Sequence, residues 1–294
     1  MMRHLAKFMT DPGLAEAWVR AKLFPTGSFE RLIMLSRNVG FRSPCFVLSF
    51  DCDTDADSAV VGALHGDLRA AGLAPLYAVA GEVIAASETE YRAIAQDGAQ
   101  FLNHGHLRHA GIDINSGETV STYFYGNVSE EEWKKDIILG EDAVLEITGH
   151  RPTGFRTPHF ATFENPGELR ALWRFLSERG YRHSSSTRPL FALRHGPLFR
   201  REGIWEFPVS GCTREYGQIL DSWGLVRSAG GSTDRLVAEL KRYLDAMKAG
   251  TPIFANIYLD PVDIAHDSEV LDVLKAFAIF SAPSFGAVVA QTSQ

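Results

Sequence analysis

The sequence predicts an α/β domain with parallel strands, either a barrel or a doubly wound sheet. Three observations predict it. From Cys45 onward, short apolar runs alternate with helical patterns about seven times, as parallel strands joined by helices do. The first run, CFVLSF (45–50), is almost continuously apolar, as a strand covered on both faces should be. No internal repeat or low-complexity tract interrupts the alternation.

Residues 1–43 read as a helical extension. AEAWVRAKLF and FERLIMLSRNVG carry apolar residues at helical spacing, separated by Pro25-Thr26-Gly27. Residues 44–294 form the barrel-like domain. After the first strand, SAVVGALHGDLRAAG (58–72) is helical and stops at a glycine, and LAPLYAVAG (73–81) is a strand. Residues 87–97 are helical, and AQFLNHG (99–105) is a strand running into a loop. Ser129 and Glu132 make a capping box for a helix that stops at Gly149, with Pro152 beyond. GFRTP (154–158) is a strand. Asn165-Pro166 opens the next helix, which ends at Gly180. YRHSSS (181–186) and GIWEFPVS (203–210) are strands. Ser232 caps a helix whose stripe is Leu236, Leu240, Tyr243, Leu244 and Met247. PIFANIYLD (252–260) is a strand, a helix lies near 268–280, and GAVVAQ (286–291) is expected as the last strand.

The net charge of -7 and the lack of a dense Lys/Arg run exclude a nucleic-acid surface. Three widely spaced cysteines, Cys45, Cys52 and Cys212, imply no disulfide framework. MMRHLAKFMTDPG lacks the continuous apolar core of a signal peptide, and no run is long enough to span a membrane. The expectation is a cytoplasmic protein without a membrane span, with a homo-oligomer as an open option.

In α/β folds of this kind the reactive groups lie where strands end. The first strand ends in SFDCDTD, so Asp51 and Asp53 can act as a base and a metal ligand, or merely cap the next helix. NHGHLRHAG follows the third strand and offers His104, His106 and His109, as ligands or as a polar loop. Arg156 stands ready to pair with a carboxylate and lower its pKa, or to form a surface ion pair. Asp221 sits beside Trp223, a polar handle next to an apolar wall. Asp260 closes the 252–260 strand, as a proton donor if burial raises its pKa, or as a helix cap. Cys52 points into the core by alternation and is not read as a nucleophile.

Taken in order, these segments resemble the polysaccharide deacetylases, carbohydrate esterase family four, also called the NodB-homology domain. The resemblance covers about residues 44 to 291. SFDCD resembles the family's first motif, TFDD, and GAQFLNHGHLRH the second, GHEIGNHTxxH. GFRTPHF resembles FRxPY, YRHSSSTRP the YDSS segment, LDSW the fourth motif, and GTPIFANIYLDP the fifth. The ordered set carries the likeness, since no single motif decides it.

The resemblance implies a distorted (β/α)7 barrel of parallel strands and a hydrolase acting on non-peptide carbon–nitrogen bonds. Such an enzyme removes acetyl groups from amino sugars with one divalent metal held by Asp-His-His. It implies zinc first, with cobalt, nickel or manganese as alternatives. Asp53 and His104 become ligands, and Asp51 the base that takes a proton from the attacking water. Arg156 orients Asp51, and Asp221 tunes the proton donor. Pro158, His159 and Trp223 contact substrate. Two positions depart from the pattern. Where the second His is expected stands Arg108, which cannot ligate, so His109 takes the place through a one-residue bulge, with His106 in reserve. Where the leaving amine's His donor is expected stands Asp260, with His159 and His266 as substitutes. The substrate is then a carbohydrate or, in a second reading, a small amide or cyclic imide. A non-catalytic carbohydrate-binding relative is the reading from another class.

Overall fold

The computed structural model describes residues 11–113, 119–160, 162–163, 165–228 and 230–292. Residues 1–10, which hold most of the segment read for a signal peptide, lie outside the described residues. The strands are β1 (Cys45–Cys52), β2 (Leu76–Val79), β3 (Gln100–Asn103), β4 (Ala110–Ile112) and β5 (Thr119–Ser121). They continue with β6 (Gly154–Arg156), β7 (His183–Ser185), β8 (Phe199–Arg201), β9 (Ile204–Glu206) and β10 (Phe254–Leu259). The main sheet has the order β10-β1-β2-β3-β6-β7-β9-β8, parallel throughout except for β8. The seven parallel strands are those the alternation predicts, and helices cover their outer faces.

Asn256 bridges the gap between the ends of this sheet. Beyond β9, Pro208 has no N–H to give a ladder. The Asn256 Nδ2 donates to the Phe207 and Pro208 carbonyls at 3.0 and 3.3 Å and to Ser185 Oγ at 3.1 Å. The Ser210 N–H donates to the Asn256 carbonyl at 2.8 Å. One side chain thus connects β10 to the chain beyond β9 and to β7, and the sheet is a distorted barrel.

Period two sorts the strand residues. Phe46, Leu48, Phe50 and Cys52 of β1 pack outward in the largest apolar cluster with Tyr77, Val79, Ile257 and Leu259. Cys45 and Val47 turn inward to meet Leu76, Ala78, Leu102, Phe207 and Phe254. Further along the same inner face come Ser49 and Asp51. The barrel therefore grades from apolar at the strand starts to polar at the strand ends.

The chain's last element is a helix, Phe285–Thr292, and not the expected strand. GAVVA has strand-like composition, but Phe285 and Val288 fall one helical turn apart and both enter the barrel interior. Phe285 stacks on Phe207 with centroids 4.2 Å apart. The segment closes the end of the barrel at the strand starts, where a helical stripe fits.

Other features depart from the sequence reading. β8 and β9 form a hairpin whose two loop residues, Glu202 and Gly203, both have positive φ, as a type I′ turn requires. The helices Gly81–Ala86, Pro189–His195 and Pro261–Ile264 and the antiparallel pair β4–β5 are not among the expected elements. Ser232 holds the N-cap position of its helix but makes no capping bond. At the N-terminus, the helices Pro12–Leu23 and Pro25–Asn38 pack on each other and on Pro189–His195.

Candidate metal centre and active site

Asp51 and Asp53 are free of helix capping. Thr54 caps Asp55–Ala70 in a capping box with Asp57, whose carboxylate accepts from the Thr54 N–H at 3.0 Å. Both earlier aspartates, two positions apart, stay on the inner face.

The loop after β3 is set by partners from four other elements. Gly105 has φ 76, and a Cβ there would lie 2.5 Å from both Asp136 Oδ2 and the Tyr125 hydroxyl. Only glycine fits. Asp136, buried in the helix Glu130–Thr148, accepts the His106 and Leu107 N–H groups at 3.0 and 2.9 Å and the Tyr125 hydroxyl at 2.6 Å. Glu82 accepts the Arg108 N–H at 2.8 Å. The Arg108 guanidinium turns outward to Asp55 at 2.7 Å. The extra residue is thereby spent on the rim, and His109 turns inward.

Asp53, His104 and His109 converge, each offering one ligand atom, all within 4.8 Å of one another. His109 Nε2 is 2.8 Å and His104 Nε2 3.3 Å from Asp53 Oδ1. The His104 Nδ1–H donates to the Arg156 carbonyl at 2.9 Å, and the His109 Nδ1–H to the Leu107 carbonyl at 3.3 Å. With Nδ1 protonated in both rings, the neutral imidazoles present Nε2 lone pairs to a carboxylate. Three acceptors meeting this way suit a proton or a cation. Burial alone would raise the Asp53 pKa, but His109 and His104 hold it well below the ordinary value. Burial opposes charge on His109, yet Asp53 raises its pKa. His106 stays outside the group and lies against Gly81.

Arg156 is fully buried at the end of β6. Its Nη1 is 3.5 Å from Asp51 Oδ2, its Nη2 donates to Ser49 Oγ at 2.8 Å, and its guanidinium lies over the Tyr258 and Phe160 rings at 5.0 and 5.4 Å. The surface ion-pair reading of Arg156 does not hold. The expected net lowering of the Asp51 pKa does not hold either. Burial raises it by more than Arg156 and His104 lower it. Asp51 Oδ1 is buried without a hydrogen-bond partner.

Beside this pair lies a second acidic group. Burial pushes Asp221 up to about 6, against the Tyr258 hydroxyl (2.5 Å) and the Gly224 N–H (2.8 Å) that it accepts. Burial also raises the Asp260 pKa well above the ordinary carboxylate value, with Arg227 3.7 Å away only offsetting it. Asp260 accepts from the Ser222 hydroxyl at 3.1 Å, and its own N–H donates back to that oxygen at 2.8 Å. Trp223 is 36% exposed and stacks on Arg227. Pro158 is buried under the Gly105 turn. His159 has φ 55, donates from Nε2 to the His109 carbonyl at 2.9 Å, and is pushed down to about 4 by burial and His109. His266 is exposed just after the short helix Pro261–Ile264 and is not part of the Asp53 group. Burial raises the Cys52 thiol pKa well above its ordinary value, so it stays a thiol.

Sequence reading missed Ser49, Phe160, Arg227 and Tyr258. Two of these had a signal: Ser49 and Tyr258 stand two positions before Asp51 and Asp260, on the same strand faces. Phe160 and Arg227 enter from loop and helix, where no period applies.

No family model matches the chain, and no curated protein matches it in sequence. Solved structures do match. A probable polysaccharide deacetylase from Pseudomonas aeruginosa PAO1 superposes with TM-score 0.60 at 13% identity, over 87% of this chain and 92% of that one. A polysaccharide deacetylase from Bacillus cereus gives 0.52 at 15%, over 83% and 93%. An allantoinase gives 0.54 at 14%, over 80% and 82%. The chain has the polysaccharide-deacetylase fold, a NodB-like α/β barrel.

Proposed function

We propose that this chain is a metal-dependent hydrolase that removes acetyl groups from N-acetylated sugars or oligosaccharides. The observation that carries the proposal is the convergence of Asp53, His104 and His109 beside the buried Asp51–Arg156 pair. The donor set fits a divalent cation, zinc first: two imidazole Nε2 lone pairs and a carboxylate, oriented by carbonyl partners. When bound, such an ion supplies Lewis acidity toward the amide carbonyl and lowers the pKa of water.

The chain's own groups do the rest. Asp51 is the base, and its unpartnered Oδ1 takes a proton from the attacking water. Arg156 fixes the carboxylate's position through Oδ2, held in turn by Ser49 and two rings. As the C–N bond breaks, Asp260 protonates the leaving amine and acetate departs. Burial suits Asp260 to this role, since it stays protonated to a higher pH than an ordinary carboxylate. Asp221, through Tyr258, sets the charge behind Arg156. Trp223 and Pro158 wall the acetyl methyl.

The test is acetate release from N-acetylglucosamine oligomers, with and without added zinc. Release that disappears in Asp53→Ala supports the proposal. A second reading, a small-amide or cyclic-imide hydrolase, is favoured by Asp260 standing where the deacetylases carry a His. Ring opening of a cyclic ureide without acetate release from any sugar selects it. Neither activity in zinc-loaded protein overturns both.

A further inference from the structure

The N-terminal helix pair has no role in the chemistry above, and its surface differs from the rest of the molecule. Helix Pro12–Leu23 buries Ala17 and Ala21, and Pro25–Asn38 buries Ser28, Leu32 and Ser36. Their other face exposes large apolar side chains: Trp18 (41%), Val19 (44%), Leu23 (66%), Phe24 (64%) and Met34 (48%). Five exposed large apolar side chains on one helix pair, two of them lining one cleft, mark an interaction surface. Between the helices runs a cleft of about 340 Å³ lined by Phe24 and Met34 together with Arg20, Arg31 and Glu30.

Charge decides what this face meets. Among residues 11–43, which carry the helix pair, five Lys and Arg stand against three Asp and Glu, a net of +2. Residues 44–294 hold 22 against 33, a net of −11. Such asymmetry within one chain points to an anionic partner for the basic part. Arg20, Lys22 and Arg37 are exposed on these two helices, and Arg42 is exposed just after them. Arg20 pairs with Glu16 and Lys22 with Glu215, both pairs on the surface, where such contacts are weak and easily exchanged.

We propose that this helix pair docks the protein on an anionic phospholipid surface. Leu23, Phe24 and Met34 enter the acyl boundary, while the surrounding Arg and Lys meet the lipid phosphates. Exposed Trp, Leu and Phe beside Arg and Lys on one helix pair are the residue types of an interfacial anchor. A symmetric second copy fits less well, because it would set two net-positive faces against each other. No helix among the described residues is long and apolar enough to cross a membrane. The inference does not depend on the proposed activity.

The experiment is sedimentation of the full chain with vesicles of phosphatidylglycerol and phosphatidylcholine, and with phosphatidylcholine alone. The expected result is binding to the anionic vesicles, at least tenfold stronger than to the neutral ones. Leu23→Ser with Phe24→Ser, both on the exposed face, weakens that binding tenfold or more at an unchanged thermal midpoint. Arg37→Gln with Arg42→Gln weakens it severalfold. A wild-type chain that stays in the supernatant with anionic vesicles overturns the proposal, as does a Leu23→Ser/Phe24→Ser chain that pellets like the wild type. A wild-type dimer that the same double variant converts to monomer, with vesicle binding unaffected, assigns the face to a second copy.

Discussion

Replacing Arg156 by Met isolates the electrostatics of the site. The substitution keeps an apolar stem between Phe160 and Tyr258 but removes the cation 3.5 Å from Asp51 and the bond to Ser49. Both partners are buried, so Asp51 is left as an uncompensated charge. Breaking a buried pair in this way costs about 3–5 kcal/mol. For a chain of this size that corresponds to a fall of roughly 6–20 °C in thermal midpoint. Asp51 limits the loss by keeping its proton, and each tenfold gain in its proton affinity is worth about 1.4 kcal/mol. Its folded pKa is already raised by burial, and without Arg156 it rises further. A group raised in the folded state contributes stability that is fully present below the unfolded carboxylate pKa of about 3.9. That contribution is lost as pH rises through the folded value. The deficit of the variant is therefore small near pH 4 and grows toward pH 8. Thermal unfolding of metal-free protein in chelator, across that range, measures it. Adding Asp51→Asn removes the stranded charge and recovers most of the loss at pH 8. A deficit that is flat with pH, or a double variant no better than the single, would refute the reasoning.

Other outcomes follow from the same geometry. His109→Ala lowers zinc affinity at least a hundredfold in competition titration, while Arg108→Ala and His106→Ala change it less than threefold, because neither side chain belongs to the Asp53 group. Asp260→Asn removes the basic limb of the pH–rate profile: the acid must be protonated to act, so wild-type activity falls as pH rises through its raised pKa, and the amide has no such step. Gly105→Ala forces a Cβ to 2.5 Å from two oxygens at positive φ and destabilises the fold by about 2 kcal/mol or more, read by urea denaturation. Asn256→Leu leaves the Pro208 carbonyl without its donor, while the Phe207 carbonyl keeps the Ser185 hydroxyl, and lowers stability by about 1–3 kcal/mol in the same assay.

Much of the barrel was legible because its signals are local. Continuous apolar runs mark strands covered on both faces, the Ser129–Glu132 box marks a helix start, and Gly149 marks its end. Alternation along β1 places Asp51 and Asp53 on one face without any tertiary information. The order of the strand-end motifs likewise brought Asp53, His104 and Arg156 forward as one group.

Other decisions needed the folded chain. GAVVAQ has strand-like composition in isolation, yet only a helix delivers both Phe285 and Val288 into the open end of the barrel. The direction of the Asp51 pKa depends on how far burial outweighs Arg156, and composition carries no such quantity. Barrel closure rests on Asn256, one polar residue in an apolar strand, whose partners lie 48 to 71 positions away. The choice among the histidines is the clearest case. The sequence alone determined that the loop after β3 is polar and offers candidate metal ligands, because a strand, a glycine and three imidazoles are adjacent there. Which imidazoles face Asp53 was decided by Asp136, Glu82 and Asp55, which grip the backbone and Arg108 from three separate elements. Loop register is a property of those distant hydrogen bonds, so only the tertiary structure turns Arg108 outward and His109 in.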